Sequence, residues 1–419
     1  MTFDVRTDRQ YIRASGGSDR FVLVRFTAPE SRTSGPRPPL NVAFVLDRSG
    51  SMAGQKIALA KDAVERSIAL LKPTDRFSIV VYDEIIDVVF ESAPASAEAK
   101  RNARERLQKI DARGSTDLGA GWLRGCEQVA ARLDDRQLTR VMLLSDGLAN
   151  RGITDPAELQ RHAGELRARG VITSTFGVGA DFDEALLHGM ANAGGGHFYF
   201  IETARQIVDM ITSELQETIE VVARDVALEV VAPEGVLIEP LSESSREQRG
   251  SGWRLGLGDV VTEQEVTAVF RVNFPAGALG TAAVVSVGLG DRDGDLREPP
   301  VDIAFEYADH PTNDAQRRDR DVDRQVAQLY AARARYEAVA LNRAGTYDAA
   351  RDVLLRVADR IAGYAGTDRV LRGTVEALRA EASEFGRDMV ELDRKRAYFA
   401  SAMMSSMRAP GGKARRKSS

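Results

Sequence analysis

The sequence predicts an α/β protein with a doubly wound, mostly parallel six-stranded sheet, inserted in a β-sandwich-like domain and followed by a C-terminal helical region. Three observations support this prediction. Strand-like and helical patterns alternate between about residues 40 and 222, which is typical of a parallel sheet with helices on both faces. Strand patterns without helices follow from 224 to 307, and residues 314 to about 407 are helical in pattern throughout.

The alternating part supplies the elements of the parallel sheet. Its predicted strands are 42–47, 76–82, 85–90, 140–145, 171–177 and 197–201, and its predicted helices are 54–71, 95–110, 118–133, 156–168, 183–192 and 203–222. The first helix places Ile57, Ala60, Val64, Ile68 and Leu71 on one stripe with a period near 3.6. The Asp83-Glu84 turn between two short strands predicts an antiparallel hairpin at one edge.

Strand patterns also flank the α/β part on both sides. The predicted strands on its C-terminal side are 226–231, 253–255, 264–273, 280–289 and 301–305. Residues 1–28 predict two more strands, one of them at 21–26, before a linker at 29–39 that is rich in Pro and contains Ser, Thr and Gly. Two strands are too few to be stable alone, so we expect them to join the β-sandwich.

The C-terminal region is predicted to be a helical hairpin or small bundle, with Val322, Val326, Leu329 and Tyr330 on one stripe. A segment around Tyr347 resembles part of a tetratricopeptide repeat. A repeat array is only the alternative prediction, because such arrays need about three repeats to be stable and one partial match is visible. The predicted domains are therefore 1–38, 39–222, 223–311 and 312–408, followed by a disordered basic tail at 409–419. An anionic partner for the tail is the second interpretation.

Composition limits the function classes. With 43% hydrophobic and 28% charged residues and a net charge of −5, the chain is typical of globular proteins and shows no sign of a nucleic-acid partner. A single cysteine, Cys126, excludes an internal disulfide framework. No signal peptide and no apolar run long enough for a membrane span is visible, so we expect a cytoplasmic protein. A composition rich in Arg, Ala, Asp and Gly suggests a bacterial source.

The stretch from Asn41 to Met52 carries the strongest chemical signal. A buried strand at 42–46 is followed by Asp47, Ser49 and Ser51, and a helix begins shortly afterwards. The loop therefore lies at the carboxyl end of a parallel strand, where α/β sheets bind ligands. A carboxylate and two hydroxyls are hard oxygen ligands, which suit Mg²⁺, Ca²⁺ or Mn²⁺ better than zinc or copper.

Two later loops complete a recognisable pattern: Gly114-Ser115-Thr116-Asp117 and Leu143-Leu144-Ser145-Asp146-Gly147. Together with the first loop they resemble the metal-ion-dependent adhesion site of von Willebrand factor type A (VWA) domains, over roughly residues 39–222. The resemblance implies a metal site made of Asp47, Ser49, Ser51, Thr116 and Asp146. It also implies that the three hydroxyls bind the metal directly, while the carboxylates act through water or hydrogen bonds.

The same resemblance implies a function in protein binding without catalysis. The cofactor would be a divalent cation, with Mg²⁺ first and Mn²⁺ or Ca²⁺ as alternatives, and a protein partner would offer an acidic side chain to it. Two other functions stay open: a metal-dependent enzyme or enzyme subunit, which lacks a visible general base, and a structural adaptor that binds through its C-terminal helices. Helix capping by Ser and Asp is the structural alternative for the first loop, but it does not explain Thr116 and Asp146.

Several neighbouring residues have their own interpretations. We expect Arg48 and Met52 at the exposed rim of the site, where they would contact a partner. Asp117 is either a favourable negative charge in the first turn of the helix that follows or a support for the metal loop. The phosphate-loop motif is excluded because Gln55 separates Gly54 from Lys56. Asp291-x-Asp293-Gly-Asp295 predicts a hairpin turn rather than a calcium loop, since its glycine position does not match.

Overall fold

The computed structural model describes residues 2–31, 37–250, 252–296 and 298–416. The chain divides into two compact units. Residues 36–220 form the first, here called the α/β unit, and residues 1–35 together with 221–419 form the second, here called the sandwich–helix unit. No helix among the described residues is long and apolar enough to cross a membrane.

The sandwich–helix unit begins with three strands, of which the sequence predicted two: β1 (Thr2–Thr7), β2 (Tyr11–Arg13) and β3 (Ser18–Thr27). The chain then enters the α/β unit. Its strands are β4 (Leu40–Asp47), β5 (Arg76–Tyr82), β6 (Ile86–Pro94), β7 (Leu138–Ser145), β8 (Val171–Val178) and β9 (Gly195–Ile201). Its helices are α1 (Gln55–Leu70), α2 (Ala97–Gln108), α3 (Leu118–Ala130), α4 (Pro156–Ala168), α5 (Glu184–Ala193) and α6 (Gln206–Ile219).

Within the described residues the α/β unit contains one six-stranded sheet in the order β6-β5-β4-β7-β8-β9. All neighbouring strands are parallel except β5 and β6, which pair antiparallel. The predicted fold class and its edge hairpin are therefore confirmed. Strand β6 extends to Pro94, past its predicted end at residue 90, because irregular pairing with β5 continues as far as Arg76. Strand β4 lies in the middle of the sheet, so its carboxyl end is flanked on both sides.

Two glycines let helix α3 pack close to the sheet. A Cβ atom added to Gly121 would lie 2.4 Å from the Tyr82 ring, and one added to Gly125 would lie 2.2 Å from a methyl group of Val45. Only hydrogen occupies these positions, so the helix backbone packs directly against β4 and β5. This close approach fixes the N-terminus of α3, and with it the loop that contains Thr116 and Asp117.

The sandwich–helix unit resumes after α6 with seven further strands in the described part of the chain. They are β10 (Val221–Val231), β11 (Leu237–Pro240), β12 (Ser245–Arg249), β13 (Gly252–Val261), β14 (Glu265–Phe274), β15 (Ala282–Gly290) and β16 (Glu298–Ala308). The sequence did not predict β11 and β12, which are short edge strands. Two sheets result, in the orders β1-β3-β14-β11 and β12-β13-β10-β15-β16-β2. Their facing side chains, such as Val24, Phe270 and Phe305, form a buried apolar core.

The N-terminal strands join this sandwich as predicted, although in both sheets. Strand β3 pairs antiparallel with β14 from Ser18 to Thr27, while β2 pairs parallel with β16. The α/β unit is thus an insertion between β3 and β10, because strands from both sides of it share one core.

Five helices follow β16 in the described residues: α7 (His310–Ala315), α8 (Arg320–Arg343), α9 (Tyr347–Ala365), α10 (Arg369–Phe385) and α11 (Glu391–Ser405). Helices α8 to α11 share an alanine- and leucine-rich core. Val322, Val326 and Leu329 of α8 also pack against Phe21 and Leu23 of the sandwich. The predicted helical stripe therefore has its partner within the same unit.

The C-terminal basic segment was predicted to be a disordered tail at 409–419. In the structure, Arg416 instead forms an isolated antiparallel bridge with Gln264, and the Arg415 carbonyl accepts a hydrogen bond of 2.9 Å from the Glu265 amide. Residues 417–419 lie outside the described residues.

Candidate metal centre

The first loop of the site follows β4, and its backbone folds around Asp47. The Ser49 amide donates a hydrogen bond of 2.8 Å to Asp47 Oδ1. A single 3₁₀ turn at Gly50–Met52 then brings Ser51 back, so that the Ser49 and Ser51 hydroxyl oxygens lie 3.1 Å apart. Asp47 and Ser49 are buried, whereas Ser51 is exposed. The two hydroxyls therefore form a pair at the mouth of the loop.

Backbone hydrogen bonds hold the second loop against the first loop and against the residue that follows β5. The Gly50 amide donates to the Gly114 carbonyl at 3.1 Å, and the Asp117 amide donates to the Asp83 carbonyl at 2.9 Å. Thr116 is only 4% exposed. A Cβ atom added to Gly147 would lie 3.4 Å from Thr116 Oγ1, so this hydroxyl borders the third loop.

The third loop supplies both an acid and a hydroxyl to the site. Asp146 Oδ1 accepts a hydrogen bond of 2.7 Å from the Ser51 hydroxyl. Ser145, which directly precedes Asp146, donates a hydrogen bond of 2.9 Å to Asp47 Oδ2. Both carboxylates are fully buried: Asp146 accepts from the Ser51 hydroxyl, and Asp47 accepts from the Ser49 amide and the Ser145 hydroxyl. The structure thus brings four of the five predicted residues into one hydrogen-bonded cluster, with Thr116 beside it.

The environment of Asp47 changes its acidity. Burial raises the pKa of Asp47 to about 6, although hydrogen bonds from Ser49 and Ser145 act in the opposite direction. Neighbouring Asp146 raises the pKa of Asp47 further. Burial disfavours the ionised carboxylate because water no longer solvates its charge. A cation nearby would favour the ionised form, because its positive charge stabilises the carboxylate in place of water.

Lys56 is a member of the site that the sequence interpretation did not include. It lies in the first turn of α1, and its ammonium group forms an ion pair with Asp146 Oδ2. The Lys56 side chain is 29% exposed, whereas that of Asp146 is completely buried. Its position one residue into the helix after the serine loop could have indicated this contact.

Arg48 and Met52 do not form an exposed rim, and both predictions are wrong. Arg48 is only 4% exposed, and its guanidinium pairs with Asp83 at 3.1 Å and also with Asp87. Met52 is fully buried. The apolar side chain of Met52 is more stable in the core than in water. The Arg48 guanidinium is already paired with carboxylates of the α/β unit, so neither side chain is exposed to contact a partner.

Asp83 connects the loops next to the site. Its buried carboxylate accepts hydrogen bonds from Arg48 Nε at 3.1 Å, Arg113 Nε at 2.8 Å and the Ile85 amide at 2.6 Å. Burial alone would raise the pKa of Asp83, but these hydrogen bonds and the two arginine charges hold it below its usual value. Arg113 and Asp117 both belong to the Thr116 loop, so Asp83 fixes that loop through its side chain and its carbonyl.

Asp117 caps helix α3. Its carboxylate accepts a hydrogen bond of 3.0 Å from the Ala120 amide, which satisfies one of the free donors at the helix start. A Cβ atom at Gly152 would lie 2.5 Å from the same carboxylate. Asp117 therefore acts at the N-terminus of α3, in line with the first of its two interpretations, and its carboxylate lies against the Gly152 backbone.

Two further groups of acids have structural roles. The Asp291 carboxylate accepts hydrogen bonds from the amides of Asp293 and Leu296, and Arg224 binds Asp293, as expected for the turn between β15 and β16. In the α/β unit, buried Glu214 accepts hydrogen bonds from the Ser174 and Tyr199 hydroxyls and faces His197 at 3.0 Å. This carboxylate joins α6 to β8 and β9.

Comparison with known proteins identifies the family that the α/β unit matches. Residues 41–213 match the family model described as von Willebrand factor type A domain. An uncharacterised protein, YfbK of Escherichia coli, is 30% identical over 203 residues, which are 48% of this chain and 35% of that protein. The human inter-alpha-trypsin inhibitor heavy chain H4 is 31% identical over 211 residues, which are 48% of this chain and 22% of that protein. The chain thus spans about a third or less of the length of these two relatives.

Two solved structures resemble most of the chain in fold. A von Willebrand factor type A protein from Catenulispora acidiphila superposes with a TM-score of 0.69 at 19% identity, over 93% of this chain and 97% of that one. The ArnB paralog VWA2 from Sulfolobus acidocaldarius superposes with a TM-score of 0.62 at 17% identity, over 96% and 98% of the two chains. At these identities the two likenesses concern the fold alone.

Proposed function

Residues 41–213 form a von Willebrand factor type A domain, and we propose that this domain binds a protein partner through a divalent cation held by Ser49, Ser51, Thr116, Asp47 and Asp146. The observation that carries the proposal is the hydrogen-bonded cluster of hydroxyls and carboxylates at the carboxyl end of β4. Asp146 accepts the Ser51 hydroxyl proton, so a lone pair of the Ser51 oxygen can face a cation. The Ser49 hydroxyl lies 3.1 Å from that of Ser51, so both would reach one ion.

The donor set favours Mg²⁺, with Mn²⁺ and Ca²⁺ as alternatives. Every side chain at the site offers oxygen, and hard divalent cations prefer oxygen ligands. If the neutral hydroxyls are the direct ligands, much of the ion's positive charge remains uncompensated. An acidic side chain of a partner would then complete its coordination. A cytoplasmic location of this interaction remains part of the proposal.

Thermal unfolding tests the cation site. Metal-stripped protein is titrated with Mg²⁺, Mn²⁺ and Ca²⁺, and the Ser49→Ala and Asp146→Ala variants are treated identically. A cation present at 100 times its Kd adds about 2.7 kcal/mol to the free energy of unfolding, which raises the melting temperature of the wild type. Ser67→Ala is the matched control, because Ser67 lies on α1 away from the loops and its buried hydroxyl has no partner among the described residues. A wild type that no cation stabilises would contradict the proposal.

A pull-down with and without chelator tests the partner. Capture that requires the cation and is lost in Ser49→Ala supports binding through the site. An enzyme remains the second function, and it would need a general base at the cluster. Capture that persists in chelator and in Ser49→Ala would instead favour an adaptor that binds through α8 to α11.

A further inference from the structure

The ion pair between Lys56 and Asp146 has a consequence for the charge of the site. The Lys56 ammonium contacts Asp146 Oδ2, while Asp146 Oδ1 is engaged by the Ser51 hydroxyl. A single carboxylate therefore links the Lys56 ammonium to one of the hydroxyls proposed to bind the cation. Asp47 contributes a second negative charge, and its own hydrogen bonds come from the neutral groups of Ser49 and Ser145.

The position of Lys56 is fixed by the fold. Gly54 precedes α1 with a φ of 80°, and Lys56 lies in the first helical turn. A Cβ atom added to Gly179, directly after β8, would lie 3.8 Å from Lys56 Nζ. The ammonium thus lies between the first loop and the end of β8. The N-terminus of a helix carries a partial positive charge, which repels an ammonium group. The ion pair with buried Asp146 offsets this repulsion of Lys56.

We propose that Lys56 sets the charge of the cation site, lowering its affinity for the ion while making the bound ion a stronger acceptor for a carboxylate of the partner. The inference rests on the proposed function and specifies its chemistry. Asp47, Asp146 and Lys56 together carry one net negative charge, so a bound divalent ion leaves the cluster with one net positive charge. Without Lys56 the loaded cluster would be neutral. An anionic ligand is attracted to the first arrangement and not to the second.

Two measurements on the full chain test this role, and neither uses a natural partner. The Kd for Mn²⁺ is measured by electron paramagnetic resonance of the free ion. Acetate is then titrated into the Mn²⁺-loaded protein, and loss of water proton relaxation reports the displacement of metal-bound water by a carboxylate. The variants are Lys56→Met and Lys56→Gln, which remove the charge, and Lys56→Arg, which keeps it. Lys72→Met is the control, because it makes the same charge change on an exposed residue just beyond the C-terminal end of α1, which lies roughly 20 Å from Lys56 along the helix.

Lys56→Met and Lys56→Gln should bind Mn²⁺ about tenfold more tightly than the wild type, the effect of one charge a few ångströms away in a partly exposed site. They should also require several-fold more acetate for half displacement. Lys56→Arg and Lys72→Met should match the wild type in both measurements.

The outcomes separate this inference from the proposed function. A wild type that does not bind Mn²⁺ overturns both. A wild type that binds Mn²⁺, with Lys56→Met variants of equal or weaker affinity, overturns the inference and leaves the proposed function standing; Lys56 would then only hold Asp146 in place. Equal acetate titrations for the wild type and both neutral variants also overturn it.

Discussion

The Ser145 hydroxyl donates a hydrogen bond of 2.9 Å to Asp47 Oδ2 and so joins the ends of two adjacent parallel strands, β7 and β4. The Asp47 carboxylate is completely buried, and its other oxygen accepts from the Ser49 amide. Ser145 therefore holds the acid on which the first loop is built.

Ser145→Ala should reduce the free energy of unfolding by about 1–3 kcal/mol, because it removes one donor from a buried carboxylate. Urea unfolding of the metal-stripped protein measures the change. Ser67→Ala removes a buried hydroxyl that has no partner in the described residues, and it should be neutral or slightly stabilising. Equal losses in the two variants would show that the Ser145 hydrogen bond has no particular importance.

The raised pKa of Asp47 leads us to expect opposite pH dependences for the stability of the protein and for its affinity for a cation. The pKa of this carboxyl is about 6 in the folded protein, against an ordinary value of 3.8. The folded state therefore holds the proton more tightly, and the metal-stripped protein should lose stability as the pH rises through about 6.

Cation affinity should change in the other direction and fall as the pH drops below about 6, because a proton competes with the ion for Asp47. Urea unfolding and Mn²⁺ binding at pH 5, 6 and 7 measure the two effects. Asp47→Asn should flatten the stability change between pH 5 and 7, and a change of full size in that variant would assign it to another group.

Asp83→Asn should destabilise the α/β unit by about 2–3 kcal/mol, since Arg48 and Arg113 lose a charged acceptor. Asp87→Asn is the matched comparison. Its carboxylate also pairs with Arg48 but is 48% exposed, so its loss should cost less than about 1 kcal/mol. Calorimetric unfolding of both variants measures the difference, and a cost for Asp87→Asn as large as that for Asp83→Asn would refute the proposed importance of burial.

Gly125→Ala should destabilise the protein by about 1–3 kcal/mol, because its methyl group would overlap with Val45. Gly164 in α4 has open space around its Cα, so Gly164→Ala should stabilise the helix by about 0.5–1 kcal/mol. The same substitution thus gives opposite signs in two helices of one unit. Chemical unfolding of both variants tests this, and stabilisation by Gly125→Ala would mean that α3 does not require its close approach to the sheet.

The sequence by itself determined the fold class and the candidate ligands. Apolar strand patterns and amphipathic helices depend on local periodicity, so the parallel sheet, the edge hairpin and the C-terminal helices were predictable. Asp47, Ser49, Ser51, Thr116 and Asp146 were identified because their three loops resemble the metal-ion-dependent adhesion site of VWA domains. Strands β11 and β12 were missed, since short edge strands carry little apolar pattern.

Only the tertiary structure decided which charges face the site. Arg48, Asp83 and Lys56 are all polar residues near the loops, and their sequence neighbourhoods do not distinguish a buried partner from an exposed one. In the folded chain Arg48 pairs with Asp83, which follows β5, and Lys56 pairs with Asp146, which follows β7. Strands β5 and β7 are the two neighbours of β4 in the sheet. The reason is that an ion pair depends on distances between chain segments that are far apart in sequence, and the sheet sets those distances.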